Sequence, residues 1–113
     1  MNKPTRHFSN NQEKDIAKKL NGNQQINSGA TPFYKGDVKT KHFLIEAKTP
    51  TTAKKSFAIK KDWLTKINQE SMVGGKLPVL AFRFEPNGED YYILNARGMY
   101  ALKTLLEEQE DGE

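Results

Sequence analysis

The chain has 113 residues, a length that fits one domain with a modest core and excludes a large two-domain enzyme. It has no cysteine and two histidines without an obvious partner, so disulfides and cysteine-ligated zinc are excluded and any metal must be held by oxygen. The formal charge is +4, but five of the fourteen acidic residues lie within the last seven positions, so the rest is strongly basic and predicts a polyanionic partner.

The distribution of apolar and acidic residues predicts the location of the protein and the limits of its domain. No stretch approaches the roughly 18 apolar residues of a membrane span, and the first residues lack the apolar segment of a signal peptide. We therefore expect a cytoplasmic protein with no membrane partner. The acidic residues 107–113 predict a disordered tail that follows a single domain over residues 1–106.

The first half of the chain predicts one helix and up to three strands. Ser9 and Gln12 have the spacing of a capping box, and apolar residues at helical spacing predict a helix over 10–20 that ends at Asn21-Gly22. The polar residues 23–32 predict a short strand or a loop. Residues 33–38 and 42–48 then predict two strands joined by a tight turn.

The second half predicts a helix, two strands and a last helix. A flexible basic link, TPTTAKKS, leads to a helix that Gly74-Gly75 ends. LPVLAFRF predicts a central strand, residues 90–94 the next one, and Asn95 is typical of an N-cap of the last helix. The order α-β-β-β-α-β-β-α predicts an α/β fold with a central mixed sheet flanked by helices.

Two acids and a lysine lie on the two strands of the stretch GDVKTKHFLIEAKTP. Side chains alternate along a strand, so Glu46 and Lys48 share a face, with Cα atoms about 7 Å apart. An antiparallel register that places Asp37 opposite Glu46 brings both carboxylates to that face, whereas another register separates them.

Two such carboxylates repel each other unless a divalent cation lies between them. Magnesium takes oxygen ligands, usually one or two carboxylates with waters and substrate phosphate oxygens. Lys48, on the same face, is placed to orient an attacking water or to stabilise a phosphorane. The structural alternatives are that Asp37 is a turn residue after Gly36, and that Glu46 and Lys48 form a solvated ion pair on an edge strand.

These residues resemble a known signature. Gly36-Asp37-Val38, seven further residues and Ile45-Glu46-Ala47-Lys48 are similar to the PD-(D/E)XK nuclease motif, with glycine where that motif often has proline. A preceding helix with an acid, the polar stretch containing Ser28-Gly29 and the later helix and strand extend the likeness over residues 9–95. The layout looks like the archaeal-type Holliday junction resolvases, of which phages carry small versions, and implies a restriction-endonuclease-like fold.

The resemblance implies a homodimeric, magnesium-dependent endonuclease that cuts four-way DNA junctions with paired nicks, and manganese is a possible substitute. It implies that Asp37 and Glu46 are metal ligands, that Glu13 completes the metal site and that Lys48 is the catalytic lysine. Ser28 matches a serine that contacts the scissile region, although the basic residue often found shortly before that serine is missing here.

We expect DNA contact from basic residues that bind phosphates and therefore recognise junction shape rather than sequence. They are Lys3, Arg6, His7, Lys35, Lys39, Lys41, Lys54, Lys55, Lys60 and Lys61. The dimer interface is expected at the aromatic strand residues 82, 84, 91 and 92 or on the last helix. Two rival hypotheses remain: a related nuclease that acts on duplex or flap DNA, and a catalytically inactive DNA-binding module.

Overall fold

The computed structural model describes residues 4–25 and 36–111, without the side chains of residues 4–6 and 111. The element order is the predicted one. The elements are α1 (Pro4–Lys19), β1 (Asn23–Gln24), β2 (Val38–Lys39), β3 (Phe43–Lys48), α2 (Lys61–Val73), β4 (Leu77–Phe82), β5 (Tyr91–Leu94) and α3 (Ala96–Asp111). Within these ranges, no helix is both long and apolar enough to cross a membrane.

Across the described residues the strands form one sheet in the order β1-β2-β3-β4-β5. β3 pairs with β4 in parallel, while β2 and β5 run antiparallel to their inner neighbours. A parallel pair needs a long crossover connection, which residues 49–60 and α2 provide. The prediction of a mixed sheet with flanking helices is confirmed.

The sheet lies between α1 and α2 because β3 and β4 are apolar on both faces. On one face, Ile16 of α1 packs in a cluster with Ile45 and Ala81. The alternation along a strand turns Leu80 to the opposite face, where it lines a small cavity together with Ile67 of α2. The two inner strands are thus covered from both sides, and Glu46, the acid of β3, is buried.

Helix α1 begins at Pro4 rather than at Asn10, so the predicted capping box is wrong. Proline suits the first turn of a helix, where its missing N–H costs nothing. Gln12 is fully buried, and its side chain bonds to other elements instead of to the helix start. The predicted stop is confirmed: Asn21 has a φ of 55°, and the Gly22 amide donates to Ala17 O at 2.8 Å.

The basic link differs from its prediction, because its course is fixed by contacts with the sheet. The Lys54 amide donates to Phe84 O at 2.7 Å, and Phe57 stacks on Phe82 with ring centroids 5.4 Å apart. The link therefore holds its lysines at defined places beside the end of the sheet.

Helix α3 starts as predicted and ends later. The Gly98 amide donates to Asn95 Oδ1 at 2.8 Å, which is the predicted N-cap. The helix continues to Asp111, whereas disorder was expected from residue 107. Lys103 and Glu107, one turn apart, form an ion pair at 2.7 Å and extend the helix into the acidic segment.

Candidate active site

The hairpin of β2 and β3 brings Asp37 and Glu46 together. Val38 pairs with Ile45, and the same register extended by one residue places Asp37 opposite Glu46. Of the two registers that the sequence left open, this is the one that brings the carboxylates together. Asp37 is also bonded to β3 twice: its amide donates to Ile45 O, and its Oδ2 accepts from the Ala47 amide, both at 2.8 Å. The Asp37 carboxylate is therefore held against β3 and is not a free turn residue.

Gly36 allows β2 to approach β3 at this point. A Cβ atom at residue 36 would lie 2.5 Å from Cγ of Leu44, a separation that carbon atoms do not tolerate. Leu44 is buried in the core and has little room to move. The departure from the proline of the motif therefore has a steric cause, because proline also carries a Cβ atom.

Glu46 is buried, with 6% of its surface exposed, and lies on the central strand of the sheet. Lys48 Nζ is 3.4 Å from its Oε2, and Lys66 Nζ is 3.7 Å from its Oε1. Oε1 has no hydrogen-bond partner. The alternative of a solvated ion pair on an edge strand does not fit a buried carboxylate with an unbonded oxygen.

Glu13 reaches the hairpin from α1. Its Oε1 accepts a hydrogen bond from Gln24 Nε2 of β1 at 3.0 Å. Burial raises the pKa of Glu13, and the charge of Glu46 raises it further, while the bond from Gln24 opposes both. The Glu13 carboxyl group is therefore electrostatically coupled to Glu46 across two elements.

Asp37 shows the coupling most clearly. Burial first and then the charge of Glu46 raise its pKa from 3.8 to about 7. Glu13 adds to the rise, whereas the Ala47 amide and the charge of Lys66 oppose it. Glu13, Asp37 and Glu46, hereafter the carboxylate cluster, thus carry more negative charge than their surroundings compensate.

The carboxylate cluster fits a hard divalent cation by its chemistry. Over residues 4–25 and 36–111, no three His, Cys, Asp or Glu side chains are already spaced as a complete metal cage. Magnesium does not require one, since it commonly binds one or two carboxylates and takes its other ligands from water and phosphate. A bound cation would give the buried, unbonded Oε1 of Glu46 a partner. It would also favour the ionised form of Asp37, whose pKa is raised.

Lys48 lies beside the carboxylate cluster, between a carboxylate and an aromatic ring. Its Nζ is 3.4 Å from Glu46 Oε2 and 4.5 Å from the ring centroid of Trp63 on α2. The strand position of Lys48 was predicted from the sequence, whereas its contact with Trp63 was not. Lys66, one turn after Trp63 on α2, was also missed, although the helical spacing of the two residues was a usable signal.

The residues predicted to bind DNA fall into two groups. Ser28, Lys3 and Lys35 lie outside the described residues, and Arg6 belongs to α1 but its side chain is outside the description. The remaining ones are surface residues: Lys39 is half-buried, and the exposed ones are His7, Lys41, Lys54, Lys55, Lys60 and Lys61. Lys60 Nζ also lies 5.7 Å from the centroid of Trp63, which places one of these lysines near Lys48.

Comparison with known proteins gives a likeness in structure. No family model and no curated protein matches the sequence. A solved structure of Hjc, a Holliday junction resolvase from the archaeal hyperthermophile Archaeoglobus fulgidus, superposes with a TM-score of 0.57 at 16% identity, over 74% of this chain and 73% of that one. The chain therefore has the restriction-endonuclease-like fold of an archaeal Holliday junction resolvase, as its short motif predicted.

Proposed function

We propose that the protein is a magnesium-dependent endonuclease that cuts four-way DNA junctions. The observation that carries the proposal is the carboxylate cluster with Lys48 beside it, at the strand positions that the nuclease motif requires. The fold shared with the archaeal resolvase supports the same activity.

Asp37 and Glu46 would hold the cation, with Glu13 completing the site from α1. When bound, Mg²⁺ supplies positive charge at the phosphate and lowers the pKa of a water molecule. The bond from the Ala47 amide fixes the Asp37 carboxylate, and burial keeps the oxygens of Glu46 out of bulk water. These residues thus supply a prearranged, negatively charged site of hard oxygen atoms.

Lys48 would act on the phosphodiester itself. Its ammonium group donates hydrogen bonds that orient the attacking water and stabilise the negative charge that develops on the phosphate oxygens. Glu46 and Trp63 restrict the position of that group from two sides. Ser28, which matches a serine of the resolvase family, would contact the scissile region.

DNA would lie across the basic surface that the lysines of the link TPTTAKKS and of the start of α2 form. Lys54 and Lys55 are held there by the Lys54–Phe84 bond, and Lys60 and Lys61 lead into α2. Phosphate contacts of this kind release counterions, so affinity for a junction should fall steeply as salt is raised.

Two opposed cuts in a junction require two active sites, and a twofold homodimer supplies them. Phe82 and Phe84 are poor candidates for the interface, because they pack on each other and on Tyr91 within the chain, whereas Tyr91 and Tyr92 are 46% and 40% exposed. Helix α3 is the better candidate, since it exposes an apolar set: Met99 (62%), Tyr100 (71%), Leu105 (52%) and Leu106 (63%).

Charge along α3 also fits self-association. Arg97 and Lys103 lie before the acidic end, which holds Glu107, Glu108 and Glu110. Two α3 helices that pair antiparallel would place the acidic end of one beside the basic part of the other. We therefore propose α3 as the homodimer interface.

The decisive experiment incubates the protein with a labelled four-way junction, a linear duplex and a flap, each in Mg²⁺, in Mn²⁺ and in chelator. We expect paired nicks in the junction with either metal, much slower cutting of the other substrates and none in chelator. The variant Glu46→Gln should be inactive, and Glu89→Gln, which removes an exposed carboxylate outside both the carboxylate cluster and α3, should cut like the wild type.

The other outcomes separate the rival hypotheses. Equal cutting of duplex or flap would identify a nuclease of broader substrate range. Junction binding without metal-dependent cutting of any substrate would identify an inactive DNA-binding module.

A further inference from the structure

Gln12, the residue directly before Glu13 on α1, is completely buried and joins three elements. Its Nε2 donates to the main-chain oxygen of Lys48 and to Oδ1 of Asp90, each at 3.0 Å. One side-chain amide therefore connects α1 to the end of β3, where Lys48 lies, and to the residue that precedes β5.

A second connection ties α1 to the same place. Arg83 binds Asp90 through two bonds, from Nε to Oδ1 and from Nη2 to Oδ2, both at 2.8 Å. Its Nη2 also donates to Asp15 Oδ2 on α1 at 2.9 Å. Helix α1 is thus attached to the Arg83–Asp90 pair at residues 12 and 15, on either side of Glu13.

Packing alone does not account for the amide at residue 12. Its Oε1 is buried without a hydrogen-bond partner, which is unfavourable for folding. Methionine has a similar volume, would fill the same space and would leave no unbonded oxygen of its own. The amide differs from methionine in one useful respect, since it fixes the main chain of Lys48 relative to α1.

We propose that Gln12 is a positioning residue that sets the separation between Glu13 and Lys48 by holding the Lys48 main chain against α1. The inference rests on the proposed function, because it assigns to Gln12 the alignment of two residues of that active site. A misplacement of catalytic groups by about 1 Å can slow a reaction about 100-fold. The anchoring pair Arg83 and Asp90 supports the bond, because Oδ1 of Asp90 accepts from both Arg83 and Gln12.

The first test compares Gln12→Met with Gln69→Met, which makes the same change at an exposed position of α2. In single-turnover cleavage of a junction with Mg²⁺, we expect Gln12→Met to cut at least about 10-fold more slowly. The Kd for the junction in chelator should change less than twofold, and the fraction of active protein should stay the same. A purely structural role would lower the active fraction and leave the rate constant unchanged.

The second test does not depend on cleavage. The chain has a single tryptophan, Trp63, whose ring lies 4.5 Å from Lys48 Nζ, so its fluorescence reports the position of that ammonium group. Lys48→Met defines the change caused by losing the group. We expect Gln12→Met to change the emission in the same direction and Gln69→Met to leave it unaltered.

The outcomes are distinguishable from failure of the proposed function. Wild-type protein that cuts no DNA refutes the function, while the fluorescence test still decides the inference. Wild-type rate and wild-type emission in Gln12→Met overturn the inference. If Gln12→Met does not fold, Gln12→Asn keeps the amide but is one methylene too short to reach Lys48, and both measurements are repeated with it.

Discussion

Helix α1 contributes to two charged clusters that are built in opposite ways. Glu13 belongs to the carboxylate cluster. In this cluster the ammonium groups of Lys48 and Lys66 lie 3.4 and 3.7 Å from Glu46, and Oε1 of Glu46 has no hydrogen bond. Asp15, two residues later, belongs to a cluster in which Arg83 makes bonds of 2.8 to 2.9 Å to two carboxylates.

The difference separates a structural cluster from the candidate functional one. In the arginine cluster each buried charge has a fixed partner, so the network holds elements together and needs nothing from outside. In the carboxylate cluster, burial and the charge of Glu46 raise the pKa of Glu13 and of Asp37, and a cation from solution would oppose this rise. Surplus negative charge in a buried place is therefore the sign of a site built for a ligand.

The largest effect should come from neutralising the carboxylate cluster. Asp37→Asn keeps the acceptor for the Ala47 amide but removes one metal ligand, so cleavage should fall about 1,000-fold or more, since one catalytic electrostatic contact is commonly worth that much. Single-turnover cleavage in Mg²⁺ measures it, and junction binding in chelator should stay within about threefold of the wild type. Cleavage by Asp37→Asn at the wild-type rate would show that Asp37 is not a metal ligand.

The next effect concerns the arginine cluster and is on stability. Arg83→Met leaves Asp90 buried without its partner, which should lower the free energy of unfolding by about 3–5 kcal/mol. Urea unfolding measures the loss. The control is Lys19→Met, which breaks the exposed pair with Asp15 and should cost at most about 0.5 kcal/mol. Equal losses in the two variants would mean that burial does not distinguish the two pairs.

A smaller effect links the carboxylate cluster to pH. The pKa of Asp37 is about 7 in the folded chain and lower when unfolded, so the folded state binds more protons between pH 4 and 7. Without metal, the wild type should therefore lose stability as pH rises through this range, whereas Asp37→Asn should lose less.

Thermal unfolding in chelator measures this pH effect. At pH 8 we expect the Tm of Asp37→Asn to exceed that of the wild type by about 5 °C, a shift that corresponds to roughly 1 kcal/mol in a domain of this size. The two Tm values should converge near pH 4. Added Mg²⁺ at pH 8 should raise the Tm of the wild type more than that of the variant. A Tm gap that is the same at pH 4 and pH 8 would contradict the raised pKa.

The smallest effect concerns Lys66, the exposed lysine beside the carboxylate cluster. The charge of Lys66 lowers the pKa of Asp37, but its side chain is 53% exposed and therefore screened by solvent. In Lys66→Met, the pH at which metal-dependent cleavage is half-maximal should rise by only about 0.3 units, the scale of a screened surface charge. Lys19→Met, which removes an exposed lysine of α1, should leave the profile unchanged. A shift above one unit in Lys66→Met would show that Lys66 is a main counter-charge.

Local patterns predicted the fold and the strand residues of the site. The alternation along β3 placed Glu46 and Lys48 on one face. The register of the preceding strand was left open, and the observed one brings Asp37 opposite Glu46. The stop of α1 and the cap of α3 were also predicted, because each depends on a few neighbouring residues.

The contacts that were not predicted span long distances along the chain. Gln12 meets Lys48 and Asp90 across 36 and 78 residues, and nothing near Gln12 in sequence indicates those partners. The same holds for Arg83 and Asp15, 68 residues apart. The start of α1 was misplaced because a polar helix gives weak periodicity, and the end of α3 because acidic residues were interpreted as a solvated tail.

The close approach of Gly36 to Leu44 couples two positions of the chain. Any larger residue at 36 requires the removal of volume at 44, so relatives with proline in the motif should carry a smaller or differently placed side chain on the facing strand.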